Sequence, residues 1–373
     1  MQGLRNLAYL LVVLIGGGYL LMAGQDLLFP LFFAVFFSFL LMPLEKWIHK
    51  RVRSKFLSIF LTLLLVTLAI GGLLFIFGNQ LVQIAKDMDS IQDQLMGGLQ
   101  RILAYVDQNI PYVEVPADQE SLNRTMGKIL EAPVRFIGAG ISDVAGFLFN
   151  AVLTLIYTVF ILIYKQAFKD FLMIQFSRDK REEIGIVMTE TVHMIQRYLR
   201  GMVTVIIILA ILNCVGLLII GVKYAIFWGV LAACLVIIPY IGTTLGGTLP
   251  FLYAMATGEY WQPWAVLGMY VIIQQLEGNF ITPKIVGSSV KINPFFALVA
   301  VVVMGSLLGI GGIVLAIPVC AVLKLAAEQI DYLKPVALLM DKDLMEKRHL
   351  FFGKYDRDDF RLSALLKDEE NKR

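Results

Sequence analysis

Long runs of apolar residues, separated by short polar or basic segments, account for most of the sequence. Several uncharged windows exceed the roughly 20 residues that an α-helix needs to cross a bilayer. If each interrupted run counts as one crossing, the pattern predicts about eight spans, at 7–21, 27–44, 56–77, 144–164, 202–222, 225–256, 264–283 and 294–327. The pattern therefore predicts an all-α polytopic membrane protein.

Two of these runs are too long for one ordinary span and contain helix breakers. The run 225–256 is interrupted at Pro239 and Gly242, and the run 294–327 contains a series of glycines before a proline. Proline removes a backbone hydrogen bond, and non-helical backbone at membrane depth is tolerated only where protein buries it or a water-filled cavity meets it. We expect broken or kinked helices here, or re-entrant hairpins. The residues predicted to break or gate these helices are Pro239, Gly242, Pro250, Gly278, Pro283, Gly309, Gly311, Gly312 and Pro318.

The segment between the two interrupted runs carries the candidate transport residues. An ionised carboxylate at mid-membrane costs roughly 2.5–3.5 kcal/mol on insertion scales, so we expect Glu277 to face a cavity, a partner or an ion path. Paired broken segments around such a helix are the best sequence indication of a transporter's binding region. The predicted path residues, which share amide, hydroxyl or carboxylate side chains, are Glu277, Asn279, Gln274, Gln275, Thr243 and Thr244.

The rest of the chain divides around these spans. Residues 1–78 hold the first three spans, and 144–164 is the fourth. Apolar residues recur at spacings of three and four in 79–143 and in 165–201, which predicts amphipathic helices outside the bilayer core. We assign 202–330 to a transport core. In 331–373 acids and bases alternate, which is typical of a solvated helix or a frayed end.

The placement of basic residues predicts the orientation in the membrane. The segment 45–55 carries five bases against one acid. Short loops rich in Lys and Arg stay on the cytoplasmic side. We therefore expect this loop, the segment 165–201 and both termini to be cytoplasmic, and the insert 79–143 to be extracytoplasmic.

Composition excludes several classes of function. The chain is 58% hydrophobic and 16% charged, whereas ordinary soluble domains are about 45–50% apolar and about 25% charged. The three cysteines lie in apolar runs without C-x-x-C spacing, and the three histidines are far apart, so we predict no disulfide, metal site or cofactor. Since catalytic and nucleotide-binding motifs do not occur, we predict no enzyme, no catalytic residue and no nucleic-acid partner.

The C-terminal half resembles the autoinducer-2 exporter family, also called PerM-like permeases. The resemblance is most specific over 239–318 and covers the whole chain in layout. It rests on four groups of residues, which are Pro239-Tyr240-Ile241-Gly242 with Pro250, Glu277-Gly278-Asn279 with Pro283 and Gly287, Asn293-Pro294, and the glycines 305, 309, 311 and 312 with Pro318.

The resemblance implies a multi-pass protein of the bacterial inner membrane that assembles as a homo-oligomer, a pentamer in this family. It also implies export of the quorum-sensing signal autoinducer-2, or, as in some relatives, exchange of Na⁺ or Li⁺ for protons. Membership of a family does not settle the substrate.

Three functions remain open from the sequence. An exporter of a small polar solute would use the amides, hydroxyls and free backbone groups near the breaks. A cation/proton antiporter would use Glu277 as the exchanging group, with Asn279 and Gln275 as further oxygen ligands. A membrane scaffold that transports nothing would use Glu277 only in an ion pair with Lys284 or Lys223.

Overall fold

The computed structural model describes residues 2–86, 97, 144–238, 241–257, 259–287, 290–357 and 360. The regular elements in these residues are helices, apart from one isolated bridge between Ile292 and Asp341. In lipid every backbone polar group needs a partner within its own segment, which favours helices in the long apolar runs. The predicted insert 79–143 lies outside the described residues from 87 onward, except for Gly97.

The helices follow one another in this order along the described chain: α1 Gln2–Ala23, α2 Gln25–Val52, α3 Lys55–Lys86, α4 Val144–Ile174, α5 Arg181–Ile220, α6 Ala225–Leu235, α7 Ile241–Thr257, α8 Gln262–Leu276, a π-helix Glu277–Ile281, α9 Thr282–Ile285, α10 Pro294–Glu328, α11 Lys334–Leu339, α12 Leu344–Lys347 and α13 Leu350–Gly353. Two short 3₁₀ turns, Arg178–Lys180 and Asp331–Leu333, precede α5 and α11.

The architecture confirms an all-α polytopic membrane protein. Five helical segments are long and apolar enough to cross a bilayer by length and composition: Gln25–Val52, Lys55–Ile84, Gly146–Ile174, Arg181–Ile220 and Gly311–Glu328. Several helices extend well beyond the predicted spans. In particular, α5 joins the predicted amphipathic segment 165–201 to the fifth span in one helix of 40 residues.

The described contacts divide the chain into two compact units that are interleaved in sequence. Unit 1 comprises Met1–Thr62, Asn150–Gly201 and Val286–Arg373, and unit 2 comprises Leu63–Phe149 and Met202–Ile285. The boundary after Ile285 falls inside the segment that the sequence assigns to one transport core. Chain order alone therefore does not define the packing units.

Unit 1 contains a helical hairpin. The sequence pattern predicted a broken or kinked helix, or a re-entrant hairpin, at this place. Within α10 the backbone of Gly309 has φ 62° and ψ −147°, a conformation that is essentially restricted to glycine. The chain reverses there, so that Gly305 packs against Ile313 and Gly312 against the backbone of Met304. The two arms are Pro294–Gly309 and Gly311–Glu328.

The two ends of this hairpin are held together at its base. The Asn293 side chain caps the first arm by accepting from the Phe296 N–H at 3.0 Å, and its backbone N–H donates to the Met340 carbonyl at 2.9 Å. Lys324 on the second arm donates to the Lys291 carbonyl at 2.7 Å and to the Asp341 carboxylate at 2.9 Å. The segment that follows the hairpin therefore packs back onto it.

Asp341 is a buried acidic residue at this end of the hairpin, with 7% of its surface exposed. Burial by itself would raise the pKa of the Asp341 carboxyl, but hydrogen bonds from Lys324, the backbone N–H of Asp343 and Lys347 outweigh it and lower that pKa to about 2. Alternating acids and bases predicted a solvated or frayed tail. The structure instead places this acid in an ion pair with a lysine that lies 17 residues earlier.

We expect Asp341→Asn to destabilise the protein, because Lys324 then stays buried with the Lys291 carbonyl, at 2.7 Å, and the Glu328 carboxylate, at 3.6 Å, as its partners among the described residues. Removing one partner of a buried ion pair costs roughly 3–5 kcal/mol, and the remaining Glu328 favours the lower end, about 3 kcal/mol. The folded-state pKa lies below the ordinary value of 3.8. The stabilisation is therefore complete above that value and is lost as pH falls toward 2. Thermal unfolding of the purified protein measures both effects.

Asp343→Asn is the matched control, since the Asp343 side chain is 43% exposed and lies 3.8 Å from Lys347. An exposed pair of this kind contributes about 0–1 kcal/mol, so the control should unfold close to the wild-type temperature. Equal losses in the two variants would contradict a structural role for the Lys324–Asp341 pair.

Unit 2 contains a second helical hairpin, formed by α6 and α7. Gly242 lies against the Leu235 carbonyl, and Gly246 lies against Ala232, so the two helices run antiparallel. With 11 residues, α6 is about 16 Å long at ~1.5 Å per residue, well short of the ~30 Å hydrocarbon core. The run 225–256 is therefore a re-entrant hairpin, one of the two alternatives that its breakers predicted.

Neighbouring helices pack closely on both sides of this hairpin. On one side, Asn213 of α5 donates to the Gly229 carbonyl of α6. On the other side, Gly247 of α7 leaves room for the ring of Tyr270 on α8. An aromatic cluster of Phe227, Trp228 and Tyr253 fills the core near the hairpin's base. Small residues let the backbones approach, as is usual in membrane helix packing.

Candidate functional site

A small polar cavity lies in unit 2, beside the tip of the α6–α7 hairpin. Four helices, the hairpin turn and the π-helix contribute to its wall. Its lining residues are Leu209, Asn213, Ala232, Val236, Thr243, Gly246, Tyr270, Ile273, Gln274 and Glu277. The cavity has a volume of about 20 Å³, which is room for about one water molecule.

Three of the six predicted path residues meet in this cavity. Thr243 comes from the first turn of α7, Gln274 from the end of α8, and Glu277 from the start of the π-helix. The N-terminal turn of a helix carries partial positive charge, which favours a carboxylate nearby. A broken helix, a carboxylate and neutral hydrogen-bonding groups thus lie together at one point.

The Glu277 carboxylate is half-buried and accepts hydrogen bonds from two neutral side chains. The amide nitrogen of Gln274 lies 2.8 Å from Oε2, and the hydroxyl of Thr282 lies 3.1 Å from Oε1. Among the described residues, no ion pair joins Glu277 to Lys284. The two neutral donors hold the carboxylate in place without neutralising its charge.

Glu277 begins a π-helix. This π-helix lies where the sequence predicted a break at the end of α8. The Thr282 N–H donates to the Glu277 carbonyl five residues earlier, and α9 continues the helix from Thr282. Since Pro283 lacks an N–H, a regular α-helix would lose one of its bonds here. The wider turn accommodates the proline, and π-turns of this kind often occur at functional sites.

The other predicted path residues lie away from the cavity. Gln275 and Asn279 are exposed and bond to each other, with the Asn279 amide nitrogen 3.0 Å from the Gln275 oxygen. Thr244 is also exposed, one position beyond Thr243 on α7. One face of the segment 274–279 therefore lines the cavity through Gln274 and Glu277, and the Gln275–Asn279 pair lies on another face.

The predicted helix breakers have different roles in the structure. Gly242, Gly309, Gly311 and Gly312 make close approaches or the reversal in the two hairpins, with Gly311 lying against the ring of Phe29. Pro250 lies inside α7 and Pro318 inside the second arm of α10, and each helix continues past its proline. Gly278 lies in the π-helix with open space around its Cα, and Pro239 lies outside the described residues.

Two residues of the cavity were not among the predicted path residues. Asn213 is buried, with 3% of its surface exposed, and Tyr270 lines the same cavity. A helical pattern in the sequence could have identified Tyr270. Positions 270, 273, 274 and 277 are spaced by three and four and share one helix face. Asn213 lies 57 residues before Tyr270, so only the packing of α5 reveals its place.

The cavity's side chains can bind a hydroxyl group, a water molecule or a small cation. They offer a carboxylate, two amides, a phenol and a threonine hydroxyl. Within the described ranges, no group of three or more His, Cys, Asp or Glu side chains could hold a metal ion. The chemistry available is thus hydrogen bonding around a single negative charge.

Comparison with known proteins gives a match over most of the chain. A family model described as "AI-2E family transporter" matches residues 8–331. The described helices α2 to α10, most of α1 and the cavity fall inside this range.

Curated relatives match over different lengths. "Putative transport protein YrrI" of Bacillus subtilis is 34% identical over 34% of this chain and 36% of its own length. "AI-2 transport protein TqsA" of Escherichia coli is 29% identical over 32% of this chain and 35% of its own length. "Putative transport protein YhhT" of Escherichia coli is 22% identical over 91% of this chain and 94% of its own length. The matches to YrrI and TqsA thus span little more than a third of those proteins.

Proposed function

The chain belongs to the AI-2E family of membrane transporters, and from this premise we propose that it exports a small polar solute of the autoinducer-2 kind past the Glu277 cavity. We propose that an ion gradient drives the export, with facilitated diffusion as the alternative, since the sequence carries no nucleotide-binding motif. The printed name of TqsA, an AI-2 transport protein, supports this class of solute.

The observation that carries the proposal is the meeting of Thr243, Gln274 and Glu277 at the tip of a re-entrant hairpin. Transporters place their binding sites where discontinuous helices end within the membrane. Polar residues within a span cost less free energy when they line a cavity than when they face lipid. The position of these three side chains therefore fits a translocation path.

The chemistry of the cavity suits a neutral solute that is rich in hydroxyl groups. Amides and hydroxyls can both donate and accept hydrogen bonds to such a solute. A cavity of about 20 Å³ admits one of its hydroxyl groups at a time. Passage of the whole solute then requires the cavity to widen.

Exchange of Na⁺ or Li⁺ for protons is a second candidate, and the size of the cavity favours it. A volume close to that of one water molecule suits a dehydrated small cation. The Glu277 carboxylate and the oxygens of Asn213 and Gln274 would be its ligands. The scaffold alternative is weakened because Glu277 bonds neutral donors rather than Lys284.

We further propose a location in the bacterial inner membrane with both termini in the cytoplasm. The basic segment around Lys50 and Arg51 at the end of α2 supports this orientation. Assembly as a homo-oligomer, with a pentamer as the form implied by the resemblance, is supported by the exposed Gln275–Asn279 amide pair. An amide pair within a membrane helix is better accommodated against a second copy than against lipid.

Transport by the wild-type chain in everted membrane vesicles tests the proposal. Vesicles with the protein should accumulate labelled autoinducer-2 faster than empty vesicles, and a protonophore should abolish the difference. In parallel, luminal pH is followed on addition of Na⁺ or Li⁺. A proton release that depends on the cation, without uptake of the signal, would replace export by antiport. The absence of both activities would reject both candidates.

A further inference from the structure

Two residues that line the cavity each carry a buried polar atom without a hydrogen-bond partner among the described residues. These atoms are Oδ1 of Asn213 and the hydroxyl oxygen of Tyr270. The Asn213 amide nitrogen lies 3.4 Å from the Gly229 carbonyl, so Oδ1 is on the other side of the amide group. Both residues line the same cavity as Glu277.

The packing holds both groups in place. Asn213 is anchored by its bond to the backbone of α6, and it is almost fully buried. The Tyr270 ring lies against Gly247, where a Cβ atom would come within 3.3 Å of the ring. The two unsatisfied groups are therefore preorganised for something that enters the cavity.

Buried polar atoms without a partner are rare in native proteins and call for an explanation such as a bound molecule. One hydroxyl oxygen can accept a hydrogen bond and donate one at the same time. It can therefore accept from the Tyr270 hydroxyl and donate to Asn213 Oδ1. The volume of about 20 Å³ matches one such group.

We propose that Asn213 and Tyr270 form, beside Glu277, a receptor for a single hydroxyl group. In the resting protein a water molecule occupies it, and during transport a hydroxyl group of the solute replaces that water. The second half of this statement rests on the proposed function, whereas the first half does not. The two residues select solutes by requiring a hydroxyl at this position.

A double-mutant cycle tests the shared hydroxyl without any transport. Asn213→Leu, Tyr270→Phe and the double variant are purified, and their thermal unfolding temperatures are compared. If one molecule bridges both groups, losing either partner already disrupts it. The shift of the double variant should then be smaller than the sum of the two single shifts.

The control cycle pairs Asn213→Leu with Ile273→Val, which trims an apolar residue of the same cavity wall. Without a bridging molecule this pair should be additive. Additive shifts for Asn213 with Tyr270, or equal coupling in both cycles, would overturn the proposal.

A transport experiment then compares autoinducer-2, a dione that carries hydroxyl groups, with the corresponding dione that lacks them. Tyr270→Phe should raise the KM for autoinducer-2 about five- to tenfold, the effect of one hydrogen bond, and leave the maximal rate nearly unchanged. The inhibition constant of the analogue without hydroxyl groups should not change. If Tyr270→Phe raised the KM for autoinducer-2 and the inhibition constant of the analogue by the same factor, the role of Tyr270 in selecting hydroxyl groups would be rejected. If vesicles with the wild-type protein take up no autoinducer-2, the proposed substrate is rejected. The double-mutant cycle then tests by itself whether a water molecule bridges Asn213 and Tyr270.

Discussion

Replacing Glu277 by Gln is expected to reduce transport about 10- to 100-fold, the largest functional effect of any substitution in the cavity. Hydrogen bonds to a charged group contribute about 1.5–3 kcal/mol, and each 1.4 kcal/mol corresponds to a factor of about ten. The Gln side chain keeps the shape and can still accept from Thr282, which lies 3.1 Å from Oε1. Its NH2 group then replaces Oε2, and the Gln274 amide has to turn its oxygen toward that group. The variant therefore removes the negative charge and the exchangeable proton while leaving the packing intact.

The measurement is initial uptake in everted vesicles, at matched protein levels, with and without a proton gradient. Loss of the gradient's effect in the variant would make Glu277 the group that couples protons to the solute. Glu259→Gln is the matched control, since this exposed glutamate lies between α7 and α8 and outside the cavity. Full activity of Glu277→Gln, with full dependence on the gradient, would remove Glu277 from the path.

The second large effect is expected for Gly242→Ala at the tip of the α6–α7 hairpin. A Cβ atom there would lie 1.7 Å from the Leu235 carbonyl oxygen and 2.4 Å from its carbon. These are backbone atoms, so the two helices must separate. Overpacking a closely packed site costs typically 1–3 kcal/mol, and we expect at least the upper end here. Thermal unfolding in detergent and the yield of folded protein measure this loss.

A graded series of glycines provides the control for this prediction. At Gly246 the added Cβ would lie 3.1 Å from Ala232, and at Gly268 it would meet no atom within 4 Å. Alanine at Gly246 should cost less stability than alanine at Gly242. At Gly268 it should be neutral or stabilising, by up to about 1 kcal/mol, because alanine is the better helix former. Equal effects at the three sites would contradict the close approach of α6 and α7.

The sequence predicted part of the candidate site because helix geometry is regular. Gln274 and Glu277 are three residues apart and share a face, as do Gln275 and Asn279 at a spacing of four. The polar stretch therefore has two polar faces, and the sequence does not indicate which one meets the hairpin. The packing of α8 on α7 through Gly247 and Tyr270 decides this. It directs Gln274 and Glu277 into the cavity and leaves the amide pair exposed.

The C-terminal segment shows a different limit of the sequence pattern. The alternation Asp341-Lys342-Asp343 is typical of a solvated surface. Asp341 is nevertheless buried, because Lys324 reaches it from the second arm of α10. A local pattern cannot distinguish an exposed acid from one that is paired with a distant base. The free energy of such a pair comes from contacts between segments that are far apart in sequence.

The sequence by itself determined the membrane class, the helical segments, the family resemblance, the positions of the breaks near Gly242 and Gly309, and the carboxylate between them. These features depend on local composition. A bilayer admits few backbone structures, and glycine and proline change the backbone at their own positions. Only the tertiary structure decided that each broken run reverses into a hairpin instead of bending. Glycine allows both courses, and the choice follows from the contacts that the two arms make with each other. Within unit 2, the packing of α5 and α8 beside the α6–α7 hairpin brings Asn213, Tyr270 and Glu277 to one cavity.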